Sequence, residues 1–172
     1  MSDPFPAVAE AAATGEIAEI FADIRATVGV RVVNLVWRHL ATMDGALPWT
    51  WRAVKPLYLA GMPDRAAVRF RQDMTIPTLK GLTGPQPESV DAVLASYDHS
   101  NTINLFALGA IVAWLCGEAA KEGTPLAGAR LPAPDIALPK LASQEDVTPD
   151  TWTMVQRLNG FGDRNQIILA SM

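Results

Sequence analysis

Apolar residues recur at helical spacing along most of this chain, and nowhere do they alternate as a strand requires. After Thr14, "GEIAEIFADIRAT" places Ile17, Ile20, Phe21 and Ile24 on one face, with Glu16 and Glu19 near the N-terminal end. Gly29 is the expected stop. "VRVVNLVWRHLATM" mixes β-branched residues with the helical positions Leu35, Val36, Leu40 and Met43, and the flanking helices favour a helix of about three turns. "DGALP" breaks it. Pro48 opens a helix through "WTWRAVKPLYLAG" that Pro56 should bend, and Pro63 sits in the first turn of "PDRAAVRFRQDM". "IPTLKGLTGPQPES" reads as a loop. From Ser89 to about Ala120 the pattern gives one long helix or two stacked ones, with Gly109 as the weak point. "KEGTPLAGARLPAPDIALPK" carries four prolines without periodicity and reads as a linker or wrapping arm. "TPDTWTMVQRLNG" is a capped helix with Pro149 first, and "DRNQIILASM" begins another.

The expectation is an all-α fold. A helical unit spans residues 1–120, a proline-rich linker 121–140 and C-terminal helices 141–172. The core is expected to include Ile20, Ile24, Leu40, Val93, Leu94, Leu105, Leu108 and Trp114. A faint internal echo links "TGEIAEIFADI" to "TPDTWTMVQRL", as if the tail began a second copy of the N-terminal unit.

Composition narrows the function classes. The 172 residues suffice for one domain with a sizeable core, and 49% of them are hydrophobic, which argues against bulk disorder. The net charge of −4 comes with no Lys/Arg-rich run, so nucleic acid is not an expected partner. The apolar run 105–117 is shorter than the ~20 residues that a membrane span needs, so it reads as a buried helix or a subunit interface. No secretory leader pattern opens the sequence and Cys116 is the single cysteine, which together fit a cytoplasmic setting. Cys116 reads as an inert core thiol. His39 and His99 have no partners at zinc-site spacing, so no metal is expected, and no cofactor motif occurs.

One stretch concentrates polar chemistry. "YDHSNTINLF", residues 97–106, sets Tyr97, Asp98, His99, Ser100, Asn101, Thr102 and Asn104 between apolar segments. On a helix Tyr97, Asn101 and Asn104 share a stripe that Asp98 borders, while His99 points away by roughly 100° per residue. A phenol, carboxamides and a carboxylate on one wall could position a water, accept its proton and hold an anionic substrate. The plainer reading is a junction between helices, because Ser, Asp and Asn also collect where backbone N–H groups need caps.

The segment "TGEIAEIFADIRATVGVRVVNLVWRHLATMDGALPWTWRA" resembles the opening of the group I 2-haloacid dehalogenases, the enzymes that hydrolyse both enantiomers of 2-haloalkanoic acids. The likeness rests on "GE…DIR", "LAT" and "LP…WR", and on "VDAVLASYDHSNTINL" as V-x-x-V-L-x-x-aromatic-x-x-x-N-x-x-x-L. It covers most of residues 14–116. The tail "LPKLASQEDVTPDTWTMVQRLNGFGDRNQ" is similar to the start of the family's second all-α unit. The helical unit is also akin to alkylhydroperoxidase-D-like folds, although their peroxidase cysteine pair is absent.

The resemblance implies hydrolysis by water attack at C2, with halide displaced and no covalent ester. It assigns Asn101 the role of the family's water-orienting Asn and Tyr97 that of a pocket Tyr. Val32 and Leu35 take the places of pocket aromatics. The family's general-base Asp falls on Ala170 or Val36 here, neither of which takes a proton, so Asp98 is the nearest substitute base. The candidate set is therefore Asn101 and Asp98 for catalysis, with Tyr97, Val32, Leu35, Val36 and Asn104 lining a site for a small carboxylic acid. A single unit is expected to restore the family's two-unit arrangement as a homodimer through the 105–117 run. The alternative is a non-catalytic all-α homodimer that binds a small carboxylate or simply packs.

Overall fold

The computed structural model describes residues 6–75, 88–118, 130–134 and 144–159. All regular structure among them is helical, and no strand occurs among them. Helix α1, Gly15–Ile24, continues into a wide helical turn over Arg25–Gly29. It buries Phe21, Ile24 and Val28 and packs Ile17 and Ile20 against the same cluster, the face its spacing predicts. Gly29 ends it with φ +78°, a left-handed conformation that suits glycine. A Cβ on Gly29 would also lie 2.6 Å from the Cβ of Ala133, so this stop doubles as the place where another segment crosses.

The next helix is shorter than its pattern suggests. Helix α2 is only Leu35–Leu40, and residues 30–34 are not helical. The expected helix from Val30 loses its first turn because Val33 donates its N–H to Glu10 Oε1 at 2.6 Å. Glu10 is itself held by Arg25. This outside tie and the β-branched Val30, Val32 and Val33 favour extended backbone.

Helix α3, Ala46–Leu59, runs through Pro56 without ending there, and α4, Met62–Asp73, starts after Gly61 at φ +64° with Pro63 in its first turn. Helix α5, Glu88–Leu115, is a single element through Gly109. Helix α6, Pro149–Asn159, begins at a Thr148 cap, whose Oγ1 accepts the Thr151 N–H at 3.2 Å. The loop prolines Pro77, Pro85 and Pro87, Ala170 and the final expected helix lie outside the described residues.

The core gathers α1, α2, α3, α4 and α5 around Trp37, Tyr58, Phe21, Ile24, Leu47 and Ile103. Trp37 meets Trp51 edge-on with ring centres 5.5 Å apart, and Phe70 of α4 meets Phe106 of α5 at 5.8 Å. Of the proline-rich stretch, residues 130–134 lie across the core as a strap. Arg130 donates to the Thr27 carbonyl, and the Leu131 N–H reaches Asp64 Oδ1 at 2.8 Å.

Helix α5 presents a different face from the one its large apolar residues suggest. Leu94, Leu105 and Trp114, expected in the core, are 59%, 61% and 66% exposed. The buried stripe is instead Ala92, His99, Ser100, Ile103, Asn104 and Ala107. A helix with large apolar residues on several faces has no dominant moment to fix its orientation, so small and polar side chains that fit against α3 and α4 settle the rotation. Cys116 likewise is exposed, not in the core. Ile103→Ala should therefore cost about 2–5 kcal/mol in urea unfolding, whereas Leu105→Ala in the isolated chain should stay within about 0.5 kcal/mol. A reversed ranking would contradict this rotation of α5.

Candidate functional site

Turning inward, α5 brings Ser100 and Asn104 onto its buried face in successive turns, with Asn101 at the exposed edge. The extended 30–34 segment carries Asn34 to the same place. Asn34 Nδ2 donates to Ser100 Oγ and to Asn101 Oδ1, each at 3.0 Å. From α3, the Tyr58 hydroxyl donates to Asn104 Oδ1 at 2.6 Å. The result is a neutral amide-and-hydroxyl cluster joining α2, α3 and α5. Tyr58 keeps its proton strongly, because burial pushes its ionisation well up and the charge of Asp64 pushes it further in the same direction.

Around this cluster the ionic groups divide. Asp98 faces Arg71, which reaches its carboxylate through Nε at 3.1 Å and Nη2 at 2.9 Å and its carbonyl at 2.9 Å. To accept a proton from water, Asp98 would first have to leave that ion pair. Asp23 is held by Lys55 at 2.6 Å and Trp51 Nε1 at 2.8 Å. The Lys55 hydrogen bond lowers its pKa most, against desolvation that raises it. Its stabilising contribution is thus present above the ordinary carboxylate range and is lost as pH falls through the lower folded value. Arg38 differs. It lies one turn beyond Asn34 on α2, no carboxylate among the described residues pairs with it, and its buried Nε has no partner among them.

The structure brings some sequence candidates together and separates others. Asn101 and Asn104 belong to the cluster, Asn104 as a buried core group. Asp98 turns to Arg71. Tyr97 is half-buried. Val32 and Val36 are exposed and Leu35 is half-buried, flanking Asn34 along the chain. His99 is a structural tie whose Nε2–H donates to the Val28 carbonyl at 3.1 Å. Asn34, Tyr58, Ser100 and Arg38 were not singled out from sequence as site residues. Asn34 had a usable signal, since it is the lone amide inside the apolar "VVNLVW". Beyond the cluster, Leu105, Leu108, Val112 and Cys116 line an open groove of about 510 Å³ on the outer side of α5. No group of three or more potential metal-ligating side chains occurs among the described residues. No helix among them is long and apolar enough to cross a membrane.

No family model, curated protein or solved structure matches the chain.

Tyr58→Phe should cost about 1–3 kcal/mol, because it leaves the Asn104 carbonyl buried without its donor. The wild-type protein should also lose stability as pH rises above about 10, since the unfolded chain surrenders the tyrosine proton first, and the variant should lack that part of the decline. Urea midpoints at pH 7 and pH 10.5 check both. A variant as stable as wild type with an unchanged alkaline decline would contradict the bond.

Proposed function

We propose that this chain binds a small carboxylic acid at the Asn34–Asn101 amide pair, with the Arg38 guanidinium as its counter-charge. The observation that carries this reading is the contrast between Arg38 and Asp98. The Arg38 cation, one turn beyond Asn34, lacks a carboxylate among the described residues, while the carboxylate nominated as base is already held by Arg71. A cluster of neutral amides with a free guanidinium suits holding an anion. Direct hydrolysis needs in addition a carboxylate whose lone pairs are open to a water proton. On this reading the chain is a non-catalytic binding protein that works as a homodimer, and the exposed apolar face of α5 supports the pairing.

Hydrolytic 2-haloacid dehalogenation is the second reading, and one observation favours it. Asp64 is a buried carboxylate whose charge is felt by Tyr58, the donor to Asn104. Its Oδ1 accepts the Leu131 N–H at 2.8 Å, and on this reading its other oxygen takes the proton of water.

Two assays on the purified chain separate the readings. Binding of propionate, followed by the side-chain amide resonances in 15N-labelled protein, should move the Asn34 and Asn101 signals. Asn101→Ala and Arg38→Gln should each weaken it about tenfold or more, as loss of a hydrogen bond to a charged group implies. Halide release from D- and L-2-chloropropionate should be absent. Release from both enantiomers that survives Asp98→Asn and vanishes in Asp64→Asn would overturn the binding reading in favour of hydrolysis.

A further inference from the structure

Two apolar surfaces of this chain stand uncovered among the described residues, and their shapes are complementary. The first is the outer groove of α5. Gly109 and Ala113, one turn apart, leave a low strip between Leu105, Leu108, Val112 and Cys116. Leu105 and Val112 are 61% and 59% exposed. A Cβ on Gly109 would meet nothing within 4 Å, so another chain can come close there. At about 510 Å³ the groove has room for a ridge of large side chains rather than for a whole helix.

The second surface is α6, a helix of 11 residues. A helix of that length is marginal in water without tertiary packing. Yet no described side chain of α6 is buried. Met154 and Leu158, four residues apart on one face, are 57% and 64% exposed. Thus α6 carries an apolar ridge without a groove, and α5 an apolar groove without a ridge. Both stay open at once within one chain, so the chain's own α6 does not fill its own groove.

The two surfaces match in length and in charge. At 1.5 Å per residue, α6 and the strip from Leu105 to Cys116 each run about 16 Å. Ridges of residues four apart pack into grooves between residues four apart in the commonest helix–helix geometry. Met154–Leu158 is such a ridge, and Gly109–Ala113 marks such a groove. Arg157, next to Leu158, and Glu118, at the end of the groove, are exposed and opposite in charge. Pairing them seats the C-terminal end of α6 beside Cys116. Rim charges of this kind set register more than affinity.

We infer that α6 of one copy lies in the α5 groove of a second copy, and that the exchange is reciprocal about a two-fold axis. This rests on the homodimer reading above and names its interface. One seat alone covers too little surface to hold two proteins together. At on the order of 100 Å² for each large apolar side chain covered, two seats reach roughly 1,000 Å², the size at which an interface becomes specific.

The test uses the full chain and its single cysteine. In Leu158→Cys, oxidation with diamide should link the new thiol to Cys116 and give a covalent dimer on non-reducing gels, lost when Cys116→Ser is added. Under reducing conditions, light scattering should give twice the chain mass for wild type. Met154→Asp/Leu158→Asp on the ridge and Val112→Asp in the groove should each weaken the dimer about a hundredfold or more, as burying a carboxylate in an apolar seat implies. All three positions are exposed in the single chain, so these variants should still fold. A dimer that survives both sets of Asp variants, or a link formed within single chains of that dimer, would overturn the exchange and leave the homodimer standing. A wild-type monomer would overturn both, and the propionate titration judges carboxylate binding separately.

Discussion

The fold depends on a helix that turns its polar side inward. Helix α5 is long and apolar, yet the face it commits to the core carries His99, Ser100 and Asn104. Each of these must find a partner, since a buried polar group left alone costs a large share of a small domain's net stability. The partners are what tie the other elements to α5. Val28, at the end of the turn after α1, takes the His99 proton. Asn34, ahead of α2, takes Ser100, and Tyr58 of α3 takes Asn104. The contacts that join the helices and the candidate site are therefore the same contacts.

Helix class and most helix positions were legible because the local signals were strong. Gly29, Pro63 and the Thr148–Pro149 cap mark ends by backbone chemistry that neighbours do not alter, and Thr14 holds the N-cap place of α1 without a side-chain capping bond. What failed was the rotation of α5 and the start of α2. Periodicity locates a buried face only when the other faces are polar, and the exposed Leu94, Leu105 and Trp114 removed that contrast. The 30–34 segment is extended because Glu10, some twenty residues away, takes the Val33 N–H, and no local pattern announces such a tie. Asn101 and Asn104 were visible as unusual polar residues in an apolar context. Their partners Asn34 and Tyr58 come from other elements, so only tertiary structure assembles the cluster. The ion pair of Asp98 with Arg71 is a long-range pairing of the same kind.

A core whose polar groups are bonded to one another across elements is a conformationally specific one. Tyr58, Ser100 and Asn34 fix the angles at which α2, α3 and α5 meet, because an apolar slip would strand each of them. The strap at 130–134 adds a second layer of the same logic. It crosses where Gly29 leaves room and anchors on the buried Asp64, itself beside Tyr58 in electrostatic terms. The strap's tie to Asp64 and the bond of Tyr58 to Asn104 are thus two polar anchors within an otherwise apolar core. Such anchors stabilise the native arrangement and at the same time offer preorganised donors and acceptors to a ligand.

The most direct measurement is a high-resolution crystal structure of the chain grown with propionate. The account predicts density for one small acid between α2 and α5, its carboxylate on Asn101 and Arg38. A structure in which those side chains bond only to one another, with no acid between the helices, would contradict it.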